Sequence, residues 1–158
     1  MAHFMRVFCR TQEAPTIPHL VDKIEHIGFE LKIFPAKDDP RYQDPDWKTV
    51  HLSYEDRRPS VMVDRSVSGA EDFAEEIEEF RTAMQAVEGQ DEGRAVVDKL
   101  LSETEQIIAC MIPDDFTEEG WELVEYLLEL LLDATDGTLQ ADGEGFFDKE
   151  GELIFAID

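Results

Sequence analysis

The sequence predicts an α+β fold, with one mainly antiparallel sheet covered by helices. Three observations carry that reading. Short apolar segments with strand-like alternation are interleaved with longer segments whose apolar residues recur at helical spacing. Most of the short segments are separated by Asp, Gly and Pro turns, as in hairpins and meanders. The order strand, helix, strand, strand also occurs twice, in residues 4–54 and 106–157, with two helices between. That pattern repeat suggests a ferredoxin-like arrangement of two strand-helix-strand-strand halves within a single domain, 1–158.

Taken in order, residues 4–10 (FMRVFCR) place apolar side chains on both faces, as a central strand does. Thr16 can cap a helix whose stripe is Ile17, Leu20, Val21, Ile24 and Ile27, with Gly28 as its stop. Phe29, Leu31 and Ile33 then alternate with Glu30 and Lys32, the pattern of a half-buried strand. Residues 37–47 hold two Pro and four Asp and read as a loop. Tyr42 and Trp47 could anchor a partner there, although Trp47 fits better as a packed start to the next strand. Residues 47–54 and 60–67 form a predicted hairpin.

Ser68 and Glu71 have capping-box spacing ahead of a helix with the seam Phe73, Ile77, Phe80, Met84 and Val87. The seam suits packing within the chain, or a homodimer as the other outcome. A second helix over 91–102 should bury Val96, Val97, Leu100 and Leu101, and residues 104–113 read as another central strand. Phe116 and Trp121 can staple the start of the last helix around Thr117. That helix is apolar over most of its circumference, with Glu122, Glu125, Glu129 and Asp133 as its polar stripe, so it should be the most buried. Strands over 138–141, 145–148 and 152–157 complete a meander, punctuated by Gly137, Gly143, Gly145 and Gly151 and held to the core by Phe147 and Leu153.

Charge is the strongest global signal. The chain carries a formal net charge of -24, and its 38 acids and 14 bases are unevenly spread. Residues 1–66 hold 11 acids and 10 bases, net -1, which leaves 27 acids and 4 bases, net -23, in residues 67–158. Nucleic acid is therefore not an expected ligand, because neutralising phosphates needs basic side chains. Electrostatic steering points to a basic protein partner, with a solvated acidic surface that aids solubility, or adaptation to a salty cytoplasm, as the other readings of the charge. Hydrophobic residues make up 42% of the chain, enough for a core despite the charge. No signal-peptide pattern and no apolar run of about 20 residues occurs, so the expected location is the cytoplasm and no membrane is implied. Cys9 and Cys110 lie in separate apolar segments and read as buried free thiols.

Motifs for chemistry are sparse. The segment 135–151, TDGTLQADGEGFFDKEG, looks like a calcium loop, but Asp142-Gly143 at positions 5 and 6 places Lys149 where a bidentate acid is required. Starting at Asp136 instead puts Ala141 at the glycine position. An irregular metal site of Asp142, Glu144 and Asp148 is the remaining metal candidate, and turn chemistry explains more of the letters. His3, His19, His26 and His51 show no ligand spacing, and His19 and His26 read as a surface pair. No cofactor motif is present, and no catalytic residue is assigned.

The sequence thus leads to a non-catalytic interaction or regulatory protein, inhibitor-like or immunity-like, whose carboxylates face a basic partner. Glu75, Glu76, Glu79, Glu122, Glu125 and Glu129 are the expected contributors. The alternative is a small-ligand or divalent-metal binding protein or enzyme, using the acidic C-terminal turns or a cleft beside 38–47.

Overall fold

A computed structural model describes residues 3–157. The chain runs β1 (His3–Cys9), α1 (Ile17–His26), β2 (Lys32–Phe34), β3 (Thr49–Ser53), β4 (Val61–Val67), α2 (Glu71–Gln85), α3 (Asp91–Glu103), β5 (Gln106–Ile112), α4 (Glu118–Thr135), β6 (Thr138–Ala141), β7 (Gly145–Phe147) and β8 (Leu153–Ala156). The strands form one eight-stranded sheet in the order β2-β3-β4-β5-β1-β6-β7-β8, antiparallel at every pairing. The α+β class is as the sequence predicts.

The ferredoxin-like arrangement is not confirmed, because each half carries a three-stranded meander and helices lie on both faces. Strand β1 alternates its side chains: Val7 and Cys9 enter a core with α1 and α4, while Phe8 enters a second core with α2 and α3. The two meanders are exchanged. β4 of the first half pairs with β5 of the second, and β6 of the second pairs with β1 of the first.

Local signals explain the starts of α1 and α4. Thr16 accepts a hydrogen bond from the His19 amide at 3.3 Å, and Thr117 accepts one from the Gly120 amide at 3.1 Å. The Phe116 and Trp121 rings meet edge-on at 5.5 Å, as the staple predicts. The Ser68–Glu71 capping box does not form. Ala70 is the cap residue, and Ser68 instead donates its hydroxyl hydrogen to the Glu105 carboxylate, tying the end of β4 to the start of β5. Trp47 is buried and donates from Nε1 to the Pro15 carbonyl at 2.9 Å. Tyr42 is buried as well, inside a short 3-10 turn (Pro40–Gln43), so neither ring projects as a partner anchor. The Phe73–Val87 seam packs within the chain, against the sheet.

Three burial expectations are corrected. Val96 is 52% exposed, because α3 turns Val97, Leu100 and Leu101 toward the sheet instead. Ile27 ends α1 as its C-cap and stays exposed. In the terminal meander Phe146 and Phe155 are buried, whereas Phe147 is partly buried and Leu153 is 52% exposed. Phe146 pairs with Phe155 beneath α3, so the other side of β7 and β8 is the open one, and a register shift at Phe146/Phe147 separates the two phenylalanines.

Gly145 and Gly137 are among the glycines required by close approach. Gly145 has φ +133, and a Cβ there would overlap the Phe155 carbonyl oxygen. At the turn that Gly137 punctuates, the positive φ belongs to Asp136, at +53, and not to the glycine. A Cβ on Gly137 would lie 2.5 Å from Val7 Cγ1, so glycine serves packing there.

Both cysteines are buried and free. Burial pushes the Cys110 thiol up to about 12, and it also raises Cys9 against hydrogen bonds from Thr135 and Gln106. Neither thiol should therefore react with a disulfide reagent in native protein at pH 8, while both react after denaturation. Rapid labelling of the native chain would contradict this burial. No helix among the described residues is long and apolar enough to cross a membrane.

Candidate functional site

Helix α2 positions the densest group of carboxylates. Its apolar positions Phe73, Ile77 and Met84 press on the sheet, which leaves Glu71, Asp72, Glu75, Glu78 and Glu79 exposed. Glu76 sits beside the apolar stripe and is drawn toward the sheet, its side chain only 30% exposed. There it meets Arg6, which projects from the middle of β1 on the Phe8 side.

Arg6 is the hub of the site. Its Nη1 donates to Gln140 Oε1 and to Asp142 Oδ1, both at 2.8 Å, and its Nε lies 3.3 Å from Glu76 Oε1 as an ion pair without hydrogen-bond alignment. The guanidinium also lies 4.9 Å from the Phe4 ring and 5.2 Å from the Phe80 ring, within cation–π range. Gln140 Nε2 donates to the same Asp142 oxygen at 3.1 Å, and the Phe4 amide donates to its other oxygen at 3.3 Å.

The two carboxylates on this arginine shift in opposite directions. Burial raises Glu76; Arg6 opposes the shift, and the neighbouring charges of Glu79 and Asp72 add to it. For Asp142 burial is the largest single influence and pushes upward, yet hydrogen bonds from Gln140 and Arg6, the Arg6 charge and the Phe4 amide together hold it below its ordinary value. Glu76 therefore contributes stability that is complete below its unfolded pKa and is lost as pH rises through its raised folded value. Asp142 contributes stability above its unfolded pKa and loses it as pH falls through its lowered one.

A test follows from the Glu76 sign. Glu76→Gln should raise the melting temperature at neutral pH and shrink the gain that wild type shows on acidification toward the ordinary glutamate range. An undiminished gain in the variant would contradict the assignment.

The space between α2 and β1 is a cavity of about 510 Å³, with Asp72, Glu75, Glu76, Glu79 and Asp142 facing Arg6, Phe80 and Ala83. With five ionised carboxylates against one guanidinium, the lining carries -4. Arg6 is engaged with Glu76 and Asp142, and among the described residues no cation pairs with Asp72, Glu75 or Glu79. Such a lining attracts ammonium and guanidinium groups.

Of the residues expected from sequence, Glu75, Glu76 and Glu79 are brought together here. Glu122, Glu125 and Glu129 are exposed on α4, which packs on the opposite face of the sheet, so the six form two surfaces. Asp142, Glu144 and Asp148 do not converge. Asp142 is held by Arg6, Asp148 accepts from the Glu150 and Glu152 amides at 3.0 and 2.9 Å, and Glu144 is exposed. Among the described residues no group of three His, Cys, Asp or Glu is placed to hold a metal ion.

The cleft beside 38–47 exists as a cavity of about 340 Å³ bordered by Phe34, Arg41, Asp44, Asp46 and Trp47. Arg6, Asp72 and Gln140 escape sequence reasoning as site residues. The available signal was an arginine in the middle of an otherwise apolar central strand, in a chain dominated by acids. Comparison with protein-family models, curated proteins and solved structures finds no match.

Proposed function

We propose that the protein is a non-catalytic binding protein of the cytoplasm that holds a basic protein partner against the acidic surface of α2, in the manner of an inhibitor or immunity-type protein. The observation that carries this reading is the excess of carboxylates around Arg6: Asp72, Glu75 and Glu79 share its cavity and have no cation of their own among the described residues. Helix α2 fixes the spacing of these groups, so a partner's lysines or arginines meet a preset pattern of charge. The net charge of -24 adds long-range attraction, which hastens encounter with a basic surface and weakens as salt screens it.

Affinity capture from cell extract, at about 50 mM and about 500 mM salt, tests the reading, because screening shortens severalfold between them. Wild type should retain basic proteins at the lower salt and release them at the higher. Glu75→Lys/Glu79→Lys should lose them, and Glu125→Lys/Glu129→Lys on α4 should keep them. A captured set without basic proteins, or capture indifferent to both salt and the α2 reversals, would remove the proposal.

A further inference from the structure

The sheet is wider than the helices on the Arg6 side. α2 and α3 rest on Phe8, Ile107, Phe146 and Phe155, beneath one half of that face. On the other half the register sets Phe34 opposite His51, His51 opposite Met62, Met62 opposite Met111, and Met111 opposite Phe4. Cross-strand partners project to the same side. These five side chains therefore form a row across five strands, roughly 20 Å long at ordinary strand spacing. None of them belongs to either hydrophobic core, and Phe34 is 56% exposed.

The row runs into the acidic site. At its β1 end Phe4 is bonded twice to Asp142, whose Oδ2 accepts from the Phe4 amide at 3.3 Å and whose own amide donates to the Phe4 carbonyl at 3.0 Å. Phe4 also borders a second cavity, of about 500 Å³, whose lining sets Asp64, Asp72 and Glu76 against Arg6, Lys48 and Arg65. The apolar row is thus continuous, through Phe4, with the Arg6 and Asp142 end of the acidic site.

We propose that this open row is the docking surface of the basic partner, and that the partner presents an amphipathic segment. Its apolar side chains cover Phe34, His51, Met62, Met111 and Phe4, and its lysines or arginines reach the carboxylates beside Phe4. The inference rests on the acidic-surface reading and names the partner's chemistry. Met62 and Met111 occupy the centre of the row, where flexible thioether side chains adapt to the shape of what covers them. A second copy of this chain is a poor occupant, because each copy carries -24 and would bring its own acidic rim against the other's.

Titration calorimetry on the full chain decides it. The probes are a lysine–leucine peptide with its leucines on one helical side, a scrambled isomer of the same composition, and decalysine, all at about 50 mM salt. Wild type should bind the amphipathic peptide about tenfold tighter than the scrambled one. Met62→Gln/Met111→Gln should lose that difference while keeping its affinity for decalysine, and Phe34→Ser, at an exposed position, should reduce it without unfolding the chain. Equal binding of the two isomers by wild type, or a preference that survives all three substitutions, overturns the inference and leaves the acidic-surface reading standing if decalysine binds. Failure to bind decalysine removes that reading as well. A homodimer in light scattering that Met62→Gln/Met111→Gln dissolves assigns the row to a second copy and also overturns the inference.

Discussion

Phe8→Ala is expected to destabilise the protein by about 4 kcal/mol, a large part of the stability of an ordinary domain. Phe8 is fully buried in β1, and its ring lies 5.3 Å from both Phe80 of α2 and Phe146 of β7, which are 5.8 Å from each other. The three rings join a helix to strands on both sides of the pairing between β1 and β6. Truncation removes two aromatic contacts, each contributing about 1 kcal/mol beyond area burial, and opens a cavity. The cavity cannot close easily, because β1 is paired along both edges and has no freedom to shift inward. Denaturant unfolding monitored by circular dichroism measures the loss. Leu153→Ala, on the exposed side of the same meander, should cost less than about 1 kcal/mol. Equal losses from the two substitutions would contradict the placement of this core.

Arg6→Met should cost about 3 kcal/mol, because it keeps much of the apolar stem but leaves Glu76 and Asp142 without their cation. The pH dependence separates an electrostatic loss from a packing loss. In wild type the hydrogen bonds and charge of Arg6 help hold Asp142 below its ordinary value, so that contribution is present at neutral pH and fades on acidification. In the variant the carboxylates beside the missing cation protonate more readily, and lowering the pH relieves their repulsion. The gap between wild type and variant should therefore narrow as pH falls into the carboxylate range. A gap of constant size would show that Arg6 acts through packing alone. Arg6→Lys should restore part of the neutral-pH stability, since an ammonium supplies the charge without the planar fork that reaches Gln140 and Asp142 together.

The fold was legible where one residue's local chemistry decides the outcome. Thr16 and Thr117 cap their helices as their positions imply, and the alternation in 47–54 and 60–67 forms a hairpin. Ser68 misled because its hydroxyl has a competing partner in Glu105, distant by 37 residues and invisible to spacing. Phe147 and Leu153 misled because three-residue and four-residue strands carry too little alternation to say which side meets a helix. The α2 acids were legible as a group. Their relation to Arg6 was not, since β1 and α2 are far apart in sequence and meet only once the sheet has assembled, and neither was the distance between the α2 and α4 acids. Two amphipathic helices in one acidic half give no sign from sequence that they cover opposite faces.

The most direct test of an acidic α2 surface made for a basic partner is nuclear magnetic resonance mapping of the full chain titrated with decalysine at low salt. The account predicts shifts concentrated at Asp72–Phe80 and around Arg6 and Asp142, reversed by added salt, with Glu122–Glu129 on α4 little changed. Shifts centred on α4, or spread evenly over every exposed carboxylate, would contradict it.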